Sequence, residues 1–159
     1  MMIPVALRLA AHARPKFALR HPDGSLYLSR TVLWGPDCLD GHDPLAKTSC
    51  FIHEIHTSDG DRHLHDHPWI WAVAVILSGG YIEERNDGLR RRYHRGDLNV
   101  MRHGDYHTIT QVEPDTVTLF ICGAEVSDWG FLVDGVHVPH TSYLSEPGAQ
   151  RMTHVQVGP

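Results

Sequence analysis

The chain has 159 residues, of which 42% are hydrophobic and 21% charged, and its net charge is −5 with histidine counted as neutral. This length and composition are typical of one folded globular domain rather than a disordered chain. The negative charge offers no large positive field for nucleic acid, and no run approaches the roughly 20 apolar residues of a membrane span. Three cysteines without C-x-x-C spacing indicate neither a disulfide framework nor a zinc knuckle. We therefore expect a cytoplasmic protein with reduced thiols.

The first 47 residues are predicted to form an N-terminal extension. Residues 4–12 have the pattern of a short amphipathic helix, and Pro15 marks its end. Residues 17–21 and 25–33 alternate apolar and polar side chains around a Pro-Asp-Gly turn, which predicts a hairpin. Residues 35–47 are predicted to be a loop, because glycine, proline and aspartate recur there.

Residues 48–125 show short strand patterns separated by turn signals. The strand candidates are 50–56, 69–77, 81–85, 89–94, 98–102, 106–112 and 116–122. No helical pattern of useful length interrupts them, which predicts an all-β barrel or sandwich and argues against a βαβ fold. From Gly123 onward the pattern is irregular, so residues 126–159 are predicted to be a tail packed over the barrel. We expect residues 1–159 to form one domain.

Histidine is the unusual residue in this composition, with fourteen copies. His65 and His67 are two positions apart on a segment expected to be extended, so both imidazoles face the same side. His107 begins another predicted strand after a turn at Gly104. If the two strands lie next to or across from each other, these imidazoles form a three-nitrogen set that leaves coordination positions open.

Two segments carrying these histidines resemble the two sequence motifs of the cupin superfamily. The first motif, G-x5-H-x-H-x3-4-E-x6-G, corresponds to residues 60–79 with one residue fewer after Gly60. The second, G-x5-P-x-G-x2-H-x3-N, corresponds to residues 96–111 in every spacing, with Arg102 replacing proline and Gln111 replacing asparagine. Sixteen residues separate the two segments, as is typical of small cupins.

The resemblance implies a cupin-type double-stranded β-helix, or jelly-roll barrel, whose core spans about residues 48–125. The extension 1–47 would add a short helix or hairpin to this barrel. The resemblance also implies one divalent metal ion on His65, His67 and His107, and a homodimer. The strings 64–69 and 128–131 are similar to an uncharacterised group of bacterial and phage-associated cupins, which identifies no substrate.

The chain departs from the cupin pattern at the glutamate ligand. That residue should fall at Trp71 or Ala72, and neither side chain binds metal. A three-histidine set without a carboxylate resembles that of thiol, diketone and gentisate-type dioxygenases, which use Fe(II). The resemblance therefore favours a mononuclear Fe(II) dioxygenase acting on a small organic molecule. The alternatives are a metal-dependent isomerase or lyase using Zn(II), Ni(II) or Mn(II), and a non-catalytic small-molecule-binding protein.

Several further residues are candidates for the same site. Substrate-binding candidates are Trp71, Tyr81, Glu83 and Arg102. Trp71 shares parity with His65 and His67, which predicts that it forms a cavity wall. Counting back from Gly79 favours the His65–His67 pair over one that includes His63, although His63 or Glu54 joining the metal site stays open.

Overall fold

The computed structural model describes residues 14, 16–35 and 48–158. The helix predicted over residues 4–12, most of the loop at 35–47 and Cys38 lie outside the described residues. The elements in chain order are β1 (Lys16–Arg20), β2 (Leu26–Trp34), β3 (Thr48–Ile55), β4 (Trp71–Ser78), β5 (Gly80–Arg85), β6 (Arg90–His94), β7 (Leu98–Arg102), β8 (His107–Val112), β9 (Thr116–Gly123), β10 (Gly130–Val133), β11 (Val136–Pro139), α1 (His140–Tyr143) and β12 (Thr153–Gln156). Within these ranges, no helix has the length and hydropathy to cross a membrane.

The strands form two layers. Seven antiparallel strands make the larger sheet, in the order β12-β1-β2-β3-β9-β4-β7, and β6-β5-β8 make the smaller one. His65 extends the smaller layer, because its backbone pairs with His107 of β8 on one side and with Phe131 of β10 on the other. The β10–β11 hairpin is therefore attached to the smaller sheet through His65.

The hydrophobic core lies between the two layers. Alternate residues of β4 face inward, and Ile76 packs in one cluster with Tyr81 and Ile109 of the smaller sheet. A second cluster surrounds Phe51, which is fully buried, and Phe120. The predicted all-β architecture and both predicted hairpins, β1–β2 and β5–β6, are confirmed.

The expectation of an irregular tail is wrong. β10 and β11 form a hairpin, and β12 pairs with β1 at the edge of the larger sheet. The two-residue turn between β10 and β11 is Asp134-Gly135, with φ angles of 49° and 79°. Positive φ at both central residues is the type I′ turn that Asp-Gly favours between antiparallel strands. The Asp-Gly turn signal is present in the sequence. The flanking strands have only four residues each, which is too short for an alternating pattern to be recognised.

A glycine of the first cupin-like segment is required by the turn between β4 and β5. Gly79 has a φ of +60°, and a Cβ at this position would lie 2.8 Å from the Cα of Thr116 and would overlap its hydroxyl. Thr116 donates from that hydroxyl to the carbonyl of Gly80 at 2.9 Å. The close approach fixes the path of the chain from the larger sheet to the smaller one.

Candidate metal centre

His65 and His107 are held side by side by their own backbones. The amide of each residue donates to the carbonyl of the other at 2.9 Å. As a result, the two imidazole rings lie 4.8 Å apart between centroids. His107 is the first residue of β8 and is only 5% exposed.

His67 completes the cluster two residues after His65. Its ring centroid lies 5.2 Å from that of His65 and 5.0 Å from that of His107. The Nε2 atoms of His67 and His107 are 2.9 Å apart, and one ring nitrogen from each histidine lies within 4.8 Å of the others. Mutually perpendicular ligands with bonds of about 2.1 Å are separated by about 3 Å. Small ring rotations would thus let all three histidines bind one divalent ion.

Burial keeps two of these imidazoles in the form that binds metal. The pKa of His65 is lowered to about 4, and burial is the largest cause. The pKa of His67 is held well below its usual range, again mainly by burial and then by the neighbouring His107. Both rings are therefore neutral at pH 7, with a lone pair available for an ion.

Aromatic rings line two sides of the cluster. Trp69 is buried and stacks on His67, with a centroid distance of 5.0 Å and an interplanar angle of 20°. Its Nε1 makes no hydrogen bond within the part of the chain that the structure describes. On the other side, the rings of Trp129 and Phe131 lie 6.4 and 6.1 Å from His65. These two sides of the cluster are therefore apolar.

The comparisons with known proteins bear on the fold. The sequence matches no protein-family model and no curated protein. Among solved structures, the polyketide cyclase RemF from Streptomyces resistomycificus is 16% identical, with a TM-score of 0.51 over 76% of this chain and 80% of its own. A conserved protein with a double-stranded β-helix domain from Klebsiella pneumoniae is 13% identical, with a TM-score of 0.49 over 66% of this chain and 84% of its own. The chain has the cupin fold.

By motif spacing, the usual glutamate ligand of the cupin pattern falls on Trp71 or Ala72. Of these two residues, Ala72 faces the interior and is 2% exposed. Trp71 is 38% exposed and lies against Gly123. The parity argument that placed Trp71 with the histidines is wrong, because the chain bends at Ile70 and both Trp69 and Ala72 face inward. Trp69, rather than Trp71, stacks on His67.

Glu83, one of the predicted substrate-binding residues, lies behind His107. It is fully buried on β5, and its Oε1 is 3.5 Å from the Nδ1 of His107. Arg85 donates from Nε to the same oxygen at 2.5 Å. Burial would raise the pKa of Glu83, but its contacts with His107 and Arg85 outweigh burial and lower it.

The other two candidates, Tyr81 and Arg102, lie on β5 and β7. Tyr81 is 3% exposed, and its hydroxyl accepts a hydrogen bond of 2.9 Å from Asn99, while burial raises its pKa. Arg102 is exposed on β7, whose inward residues are Asn99 and Met101. Substrate binding by Tyr81, Glu83, Arg102 and Trp71 stays a prediction.

The two residues left open as further ligands have other partners. Glu54 forms an ion pair with Lys16 at 3.3 Å, and His63 Nδ1 lies 3.0 Å from the hydroxyl of Tyr143. Within the described residues, the potential metal ligands that cluster are the three histidines alone.

A buried cation inside the barrel was missed by the sequence analysis. Arg30 is 8% exposed and donates from Nε to the Nε2 of His53 at 3.0 Å. Its guanidinium also lies 4.8 Å from the ring centroid of Phe51. Arg30 sits in the middle of a hairpin strand, and only the inward parity of β2 could have indicated that it faces the interior.

Proposed function

We propose that this cupin is a mononuclear non-haem Fe(II) dioxygenase that acts on a small organic molecule. The supporting observation is the cluster of three histidines, with no carboxylate at the motif's glutamate position, which falls on Trp71 or Ala72. The cupin fold is compatible with this function and does not by itself select it.

The chain's own residues would contribute charge and shape. Three neutral ligands leave the full double positive charge on an ion, which favours anionic or bidentate substrates. Trp69, Trp129 and Phe131 supply apolar walls, which limit the access of water to the reacting groups. A bound Fe(II) would supply one-electron chemistry with dioxygen and open positions for the substrate.

The experiment is anaerobic reconstitution with Fe(II), followed by oxygen-uptake assays on thiols, diketones and hydroxybenzoates. His107→Ala should lower metal affinity by at least about 100-fold, because one of three ligands is lost. His94→Ala is the matched control, since that side chain is 58% exposed on β6. Absence of oxygen uptake by the Fe(II)-loaded protein with every substrate class would contradict the proposal.

Lewis-acid catalysis is the second candidate, because three neutral histidines are also a ligand set of catalytic zinc. An isomerase or lyase would be active with Zn(II) or Ni(II) and would not need oxygen. A non-catalytic binding protein would show neither activity. The homodimer and the cytoplasmic location stay predictions, and light scattering on the purified protein would test the first.

A further inference from the structure

Glu83 and His67 lie on opposite sides of the His107 ring. The Nε2 of His107 faces the Nε2 of His67 at 2.9 Å, whereas its Nδ1 faces Oε1 of Glu83 at 3.5 Å. This Nδ1 is buried and makes no hydrogen bond of standard geometry within the described residues. Buried polar atoms are almost always paired in folded proteins, so a small shift that closes this contact is favourable.

The carboxylate of Glu83 is itself fixed by a network of side chains. Arg85 donates to its Oε1, and the side-chain amide of Asn99 donates to its Oε2. Arg85 also donates from Nη2 to the Oδ1 of Asn99 at 2.5 Å. Because three groups hold one another in place, the position of the oxygen that faces His107 is determined before any ion binds.

We infer that Glu83 is a positioning residue for the metal centre: its carboxylate accepts a hydrogen bond from the Nδ1–H of His107, so that Nε2 of His107 keeps its lone pair for the ion. This inference rests on the proposed metal site. A histidine ligand whose second nitrogen donates to a carboxylate has a fixed tautomer and ring orientation. The same carboxylate would place negative charge near the ion without occupying a coordination position, in a chain that has Trp71 and Ala72 where the cupin motif places its glutamate ligand.

The test compares Glu83→Gln with Glu84→Gln, measuring Co(II) affinity by competition with a chelator. Glu84 is the next residue of β5, is 40% exposed and pairs with Arg90 at 2.8 Å. Loss of an outer carboxylate typically costs about 10- to 100-fold in metal affinity. We expect a loss of that size for Glu83→Gln and a change below about twofold for Glu84→Gln. Equal affinities for Glu83→Gln and the unmodified protein would overturn the inference.

A second measurement uses the unmodified protein and does not depend on how well a buried variant folds. Long-range nitrogen–proton NMR spectra of the metal-free protein distinguish the two neutral tautomers of His107. The proton should reside on Nδ1, and finding it on Nε2 would overturn the inference. If Co(II) fails to bind the unmodified protein, the proposed function fails, whereas the tautomer still decides the contact with Glu83.

Discussion

Acidification should destabilise the metal-free protein through His65. Its pKa is lowered to about 4 in the folded protein, whereas an unfolded histidine titrates near pH 6.5. The unfolded chain therefore takes up the proton first, so this contribution to stability is present above about pH 6.5 and is lost as the pH falls towards about 4. From His65 alone, the free energy of unfolding falls by about 1.4 kcal/mol at about pH 5.5 and about 2.6 kcal/mol at about pH 4.5.

The assay is urea unfolding of the unmodified protein and of His65→Gln, with a chelator present, at about pH 7.5 and about pH 5.5. Other titrating groups contribute to both proteins and largely cancel, so the pH-dependent loss should be about 1.4 kcal/mol smaller in His65→Gln. His94→Gln is the control, because its side chain is 58% exposed and should leave the pH dependence unchanged. The same loss in His65→Gln as in the unmodified protein would refute the claim that burial keeps His65 neutral.

Two further predictions concern the scaffold, and urea unfolding measures both. Gly79→Ala should cost at least about 2 kcal/mol, because its positive φ is combined with overlap on Thr116, whereas Gly88→Ala has open space around it and should cost about 1 kcal/mol. Equal costs at the two glycines would contradict the role given to the close approach. Phe120→Ala should cost about 3–5 kcal/mol, since the ring is 6% exposed and packs against Trp69 at 5.4 Å between centroids. A loss below about 1 kcal/mol would show that the interior refills the space.

Local spacing predicted the parts of this protein that depend on neighbouring residues. The His-x-His spacing predicted that His65 and His67 face the same side, and the resemblance to the cupin motifs implied that His107 joins them, as the structure shows. The turns at Pro22-Asp23-Gly24 and Asn86-Asp87-Gly88 predicted the two hairpins. For the hairpins, the decisive interactions lie within a few residues along the chain, whereas His65 and His107 meet through pairing of distant segments.

The features that sequence reasoning missed depend on contacts between distant segments or on small departures from regular geometry. Because the chain bends at Ile70, Trp71 faces outward, and Trp69 stacks on His67 instead. Glu83 lies behind His107 because β5 pairs with β8, and alternation within one strand carries no information about that pairing. From the sequence, Glu54 was the candidate to replace the missing glutamate ligand. In the structure, Glu54 forms an ion pair with Lys16.

The position of His65 between two strands would link metal binding to local order in the C-terminal hairpin. Asp66 and Gly130 exchange two hydrogen bonds beside His65, and the amide of Leu132 donates to the carbonyl of Leu64 at 2.8 Å. An ion that restrains His65 thus also stabilises the attachment of β10, which carries Phe131 and follows Trp129. By thermodynamic reciprocity, a substrate that packs against those aromatic rings would in turn tighten the binding of the ion. Hydrogen exchange in residues 130–133 should accordingly slow when metal is added. The aromatic residues Trp129 and Phe131 and the three histidines would then respond as one cooperative unit.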